Sequence, residues 1–214
     1  MEFLASVAGA GPILELAIGT GRVALPLAER GFEVHGIDAS TAMVQKLRGK
    51  PGGTSIPVAI GDFADVEVEG SFSLVYVVFN TFFALPSQEA QVRCFQNVAE
   101  RLSAGGVFVI EAFVPDLSRF DRDQRVSATS VEPDRVQLEV SSHDLAAQRV
   151  ESLHVQIEEG STRLFPVHIR YAWPSELDLM ARLAGLELRE RYADFNRQAF
   201  SAAADVHVSV YGRP

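Results

Sequence analysis

Cysteine is almost missing from this chain. Of 214 residues only Cys94 carries a thiol, so neither an internal disulfide nor a cysteine-based metal centre can form, and a reducing, cytoplasmic setting is expected. Positive charge is also scarce: 19 Lys and Arg face 28 Asp and Glu, a net charge of −9. A field of that sign repels phosphate backbones and anionic lipid, which argues against nucleic-acid and membrane partners. No run suits a membrane helix, because the uncharged stretch Ser71 to Gln88 is interrupted by Asn80, Thr81 and Pro86 and is rich in Val and Phe. The apolar run Phe3 to Leu14 has no Lys or Arg before it, so it reads as a helix end leading into a strand rather than a signal peptide. What remains is 47% apolar and 22% charged, enough to build one globular domain over residues 1–214, and no metal site is expected in it.

Short apolar runs alternate with helical patterns through the first half. Ile13 to Leu16, Phe32 to Ile37, Ile56 to Ile60, Phe72 to Phe79 and Val107 to Phe113 are candidate strands. Arg22 to Arg30, Thr41 to Lys50 and Ser87 to Ser103 carry helical spacing between them. Strands apolar on both faces and separated by helices predict an α/β fold, a doubly wound and mostly parallel sheet. After Pro115 the period changes to two. Arg135 to Ser142, Arg149 to Glu158 and Thr162 to Tyr171 predict a three-stranded antiparallel meander, an insertion spanning residues 115–172 after the fifth strand. The charged segment Asp116 to Asp134 reads as a mobile connection. A helix opening at Pro174-Ser175-Glu176 and two strands, Leu186 to Tyr192 and Val206 to Tyr211, bring the main sheet to seven.

The first strand runs directly into Ala17-Ile18-Gly19-Thr20-Gly21 and then a helix. Glycines there let the backbone approach a ligand, and the helix N-terminus offers free N–H groups. Asp38, just after the second strand, stands where a carboxylate accepts ribose hydroxyls. Gly19, Gly21 and Ala24 also fit the dinucleotide pattern of nicotinamide-dependent oxidoreductases. Glu15 argues against that reading, since a carboxylate inside the first strand repels a pyrophosphate but attracts an ammonium group. A cationic ligand with a ribose satisfies both acids.

With these residues in view, the sequence resembles the class I S-adenosylmethionine-dependent methyltransferases. Glu15-x-Ala17-x-Gly19-Thr20-Gly21 is similar to the family's first motif, with Ala17 in place of the usual glycine. Asp38-Ala39-Ser40-x-x-Met43 resembles the second, which implies that Asp38 and Ala39 meet the ribose and that Met43 packs on adenine. Gly61-Asp62-Phe63 resembles the third, implying an adenine contact from Asp62 and Phe63. Leu102 to Val107 resembles the turn before the fifth strand. The family places the segment Phe79 to Leu85 beside the transferred methyl group, with Phe79 against the cofactor and Asn80 set to orient the acceptor. The resemblance implies S-adenosyl-L-methionine as cofactor and a small-molecule acceptor, amine or hydroxyl. Among such N-methyltransferases an insertion in this place serves as a lid or subunit interface, so a roof over the acceptor and a homodimer are expected. His154 and His168, on the polar positions of the meander, are the candidate bases. The family also implies a helical cover ahead of the first strand, where this chain has Met1 to Gly11. Two rival readings stay open: a cofactor-binding protein without turnover, and the oxidoreductase.

Overall fold

The computed structural model describes residues 1–214. In chain order its elements are α1 (Glu2–Val7), β1 (Ile13–Leu16), α2 (Ala24–Glu29), β2 (Val34–Asp38), α3 (Thr41–Arg48), β3 (Val58–Ile60), β4 (Phe72–Val77), α4 (Gln88–Arg101), β5 (Leu102–Phe113), β6 (Gln124–Val131), β7 (Arg135–Asp144), β8 (Arg149–Glu158), β9 (Ser161–Arg170), α5 (Pro174–Leu183), β10 (Glu187–Tyr192) and β11 (Val206–Gly212). Seven strands form one sheet in the order β10-β11-β5-β4-β1-β2-β3. Strands β1 to β5 are parallel, and β11 enters antiparallel between β5 and β10. This is the doubly wound α/β sheet expected from the alternating runs.

Every residue of β1 and β4 is buried, as a central strand covered on both sides requires. One face of the sheet packs on α4 and α5 through Phe72, Phe95, Phe108 and Leu177. The other packs on α1 and α2 through Phe3, Ile13, Leu27 and Val109. Ser87 caps α4 by accepting from the Ala90 N–H (3.1 Å), and Pro174 opens α5, where its missing N–H costs nothing. No helix is long and apolar enough to cross a membrane.

The second sheet corrects the sequence reading in one respect. It has four strands, in the order β6-β7-β8-β9, and the extra strand β6 lies within the segment expected to be a mobile connection. That segment also holds a 3-10 turn, Leu117–Arg119, in which Asp116 accepts from Ser118. Pairing explains the order: β6 is laddered to β7 from Gln124–Ser142 to Val131–Val136, with one irregularity between Ala128 and Ser130.

Where β1 passes into the glycine-rich turn, β2 must be bare. A Cβ on Gly36 would lie 2.5–2.8 Å from three Ile18 side-chain atoms. Gly36→Ala is therefore expected to lower stability by about 1–3 kcal/mol, the range for overpacking a core. The check is a drop in the urea midpoint at an unchanged m value.

Candidate active site

The turn after β1 is built on left-handed backbone. Ala17, Gly19 and Gly21 have φ of 54°, 58° and 74°. For Ala17 that conformation costs roughly 1–2 kcal/mol, a strain the usual glycine would avoid. A Cβ on Gly19 would meet only Met43 Cε (3.7 Å) and the Ala17 carbonyl (3.9 Å), so it would stand in the open cleft, filling space a ligand needs. The turn is held by Asp38. Gly19 N–H donates to its Oδ2 (2.7 Å) and Ser40 N–H to its Oδ1 (2.8 Å). Ser40 in turn caps α3 by accepting from Met43 N–H (3.3 Å). A carboxylate has about four lone-pair sites, so two remain for the hydroxyls of a ribose.

Glu15 sits deeper, 5% exposed, and accepts from the Tyr76 hydroxyl (2.9 Å). Burial pushes its carboxyl up to about 8, against the pull of Tyr76, the Ala24 N–H and Arg22. A buried acid without a full counter-charge at the floor of an open cleft is matched by a ligand cation.

The cleft has a volume of about 390 Å³ and gathers Glu15, Ala17, Gly19, Thr20, Asp38, Met43 and Phe79. Gly21 stands just behind its wall: its N–H donates to the Ile18 carbonyl (3.0 Å), and a Cβ there would lie 2.4 Å from Leu47. Ala39 is exposed next to Asp38. Asp62 and Phe63 do not line the cleft. Asp62 accepts from Ala64 N–H (2.8 Å), and the Phe63 ring packs against the α4 side of the core. Arg22 and Val78, which the sequence reading passed over, also line it, as does Thr81, which that reading gave with Asn80 as able to orient the acceptor or the cofactor. The Arg22 guanidinium lies 4.3 Å from the Phe79 ring centroid, closing the cleft between the glycine turn and β4.

Phe79 and Asn80 are both left-handed, with φ of 60° and 62°. Two such residues in succession persist only where the surroundings over-determine them. Glu111, near the end of β5, accepts the Phe79 N–H and also draws the Asn80 N–H. Asn80 Oδ1 accepts from Phe113 N–H (2.7 Å). The segment after β4 has no titratable residue of its own, and the structure supplies one from the neighbouring strand. Burial raises the Glu111 pKa, and the two N–H groups lower it. Spacing along the chain gives no sign of this pairing; the parallel register of β4 on β5, Val77 opposite Ile110, sets it.

His154 and His168 do not converge. The β8–β9 register sets His154 opposite Phe165 and His168 opposite Glu151, so the two rings lie on opposite faces of the second sheet. His168 Nδ1 is bonded to Glu151 at the surface, and His154 stands beside Gln137 and Phe165, outside the cleft. Among the candidate bases, then, neither reaches Asn80.

Two outcomes are expected. Asp38→Ala should weaken S-adenosylhomocysteine binding by roughly 1–3 kcal/mol, the value of a charge-assisted hydrogen bond, as read by calorimetry. Glu15 makes cofactor binding pH-dependent: below about 8 the free protein holds its proton, and a bound cation favours the ionised form. Affinity for S-adenosylmethionine should rise with pH toward about 8 and then level, with a proton released in calorimetry run in two buffers. Glu15→Gln should abolish the slope. It should also raise the Tm of the unliganded protein at neutral pH. Between the unfolded value of 4.5 and about 8 the folded state holds a proton that the unfolded chain has lost, so stability from this group falls as pH rises.

Comparison with known proteins agrees with the geometry. Residues 13–106 match the family described as "Methyltransferase domain". The cypemycin N-terminal methyltransferase of a Streptomyces species is 31% identical over 179 residues, 82% of this chain and 72% of the relative. Among solved structures, the CcbJ methyltransferase from Streptomyces caelestis is 44% identical with a TM-score of 0.94, over 99% of this chain and 87% of that one. CalS10 from Micromonospora echinaspora, an amino pentose methyltransferase solved with S-adenosylmethionine bound, shares the fold at 21% identity and a TM-score of 0.73, over 100% and 87% of the two chains. The oxidoreductase and the inactive binding protein both give way to this kinship. The chain belongs to the S-adenosylmethionine-dependent methyltransferases, and S-adenosylmethionine is its cofactor.

Proposed function

We propose that the enzyme methylates an amine nitrogen of a small-molecule acceptor held between the Phe79–Asn80 turn and the root of the second sheet. The observation that carries this reading is Asn80, whose turn borders the cofactor cleft and whose side chain fixes Phe113, a wall residue of a second cavity. The relatives support the amine: one acts on a peptide N-terminus and another on an amino pentose. Bound S-adenosylmethionine supplies an electrophilic methyl group on sulfur. The chain's own work is placement, since much of the barrier to such a displacement is removed by holding the partners in line. Glu15 and Asp38 anchor the two ends of the cofactor, Met43 flanks its base, and Glu111 fixes the turn that separates donor from acceptor. The net charge of −9 favours a cationic acceptor over a nucleic acid.

The second sheet has a polar inner face and an apolar outer one. Ser141 and Ser152 meet on the inner face (2.9 Å), while Val126 and Leu164 on the outer face are 69% and 57% exposed. The outer face supports a homodimer formed sheet to sheet, with residues 115–172 as the interface segment. The lone thiol, Cys94, is buried and has no partner for a disulfide, in keeping with a cytoplasmic enzyme.

The reading is tested by following S-adenosylhomocysteine release with amine, hydroxyl and carboxyl acceptors. Turnover confined to amines is expected. With such an acceptor, Asn80→Ala should lower kcat by roughly tenfold or more, the cost of a lost positioning hydrogen bond, with little change in cofactor affinity. Turnover confined to hydroxyl acceptors would overturn the amine assignment.

A further inference from the structure

A cavity of about 110 Å³ opens where the end of β5 meets the second sheet. Phe113 is its inner wall; its N–H is the one held by Asn80, and its ring packs edge-on against Phe83 with centroids 4.9 Å apart. Pro115, Leu117, Phe120, Val150 and Ile169 supply the rest of the apolar lining, and Asp116, Arg119, Arg125, Glu139 and Ser152 line it as well. Against that wall stand two buried titratable side chains, His143 from β7 and Tyr171 from just beyond β9. They reach across β8 to bond each other, His143 Nε2 to the Tyr171 hydroxyl at 2.8 Å. The His143 ring also lies on Phe120, centroids 4.5 Å apart. This bond caps no helix and belongs to no strand ladder, yet it places a hydroxyl and an imidazole on the surface of the cavity beside the Phe113 wall. The tyrosine oxygen keeps an acceptor lone pair for a third group.

We propose that this cavity is the acceptor subsite and that Tyr171 and His143 bind the amine nitrogen and receive its proton. The inference rests on the amine reading above and names the residues that meet the acceptor there. An amine must arrive at the methyl group unprotonated, and the pair provides for that. With the imidazole proton on Nδ1, the Tyr171 hydroxyl donates to Nε2 while its oxygen accepts from the bound ammonium. The ammonium N–H bond then breaks with its electron pair left on nitrogen. Its proton goes to the tyrosine oxygen as the tyrosine's own proton passes to Nε2, leaving an imidazolium and a free amine. The charged groups around His143 are Asp144 and Glu139 on its own strand, Arg125 on β6, and Asp116 and Arg119 on the loop that carries Phe120. Burial lowers the His143 pKa and Asp144 raises it, so the ring is neutral before the proton arrives.

Piperidine is the probe. Titrated into the protein loaded with S-adenosylhomocysteine, it is expected to shift the ring resonances of His143, recognised through their contact with Phe120, and to leave those of His35 and His168 unmoved. Tyr171→Phe should raise the KM for piperidine roughly tenfold or more, as for loss of a hydrogen bond to a charged group, with S-adenosylhomocysteine affinity unchanged. His143→Gln should remove the acidic limb of the kcat/KM profile. Piperidine that leaves His143 unmoved, or that shifts another histidine alone, overturns the proposal whether or not the variants fold. A hydroxyl compound turned over in place of piperidine sinks the amine reading as well, and the two failures are told apart by whether that compound moves the His143 resonances.

Discussion

The carboxylate of Asp38 joins two parts of the chain that would otherwise be independent. One oxygen holds the Gly19 N–H of the first crossover, and the other holds the Ser40 N–H at the start of the second. At 8% exposure these are charge-assisted bonds in a poorly solvated place, stronger than the same bonds at the surface. They fix the distance between the glycine turn and α3, and thereby the width of the cleft into which Met43 and Thr20 face. The residue that shapes the pocket is thus also the one with lone pairs to spare for the ribose it is expected to hold.

A second constraint acts at the other end of the cleft. Phe79 and Asn80 occupy a conformation that L residues avoid, and two long-range contacts hold it, Glu111 on the backbone and Asn80 on Phe113. The turn borders the cofactor cleft through Phe79 and is tied by the Asn80–Phe113 bond to a residue of the second cavity. Because in-line transfer loses rate steeply with small misplacement, strain stored in this turn is better used than relaxed.

Much of this was legible in the sequence, for a definable reason. Glu15, Gly19 and Asp38 are informative because their spacing encodes backbone geometry: a strand, a turn that needs open φ, and an acid at the next strand end. Glu111, His143 and Tyr171 were not legible. Their neighbours come from strand register, Val77 opposite Ile110 and His143 opposite Val150, which no local pattern specifies. Strand β6 was hidden for another reason. It is an edge strand whose alternation is broken by the irregularity after Ala128 and masked by Asp121, Arg122 and Asp123 just ahead of it. The two histidines chosen from the meander followed from alternation that was read correctly strand by strand. The same alternation, carried across the β8–β9 pairing, sets them on opposite faces.

The polarity of the second sheet completes the logic of the site. A roof over an active site has to exclude water from the reacting atoms without presenting a wholly apolar surface to a polar acceptor. On the inner face the His143–Tyr171 pair stands level with Val150 and Ile169, beside Phe113 and Phe120, and Ser141 and Ser152 come next along the same face. The polar groups satisfy one another in the absence of acceptor, which avoids the cost of leaving buried donors unmade. Asp116, Arg119, Arg125 and Glu139 line the same cavity, so it offers an acceptor both charged and apolar contacts. If the proposed pair meets the acceptor, selectivity toward it resides in the inserted sheet, while Glu15 and Asp38 of the parallel core face the other cleft. Relatives that keep the core and vary the insertion would change acceptor without losing the methyl donor.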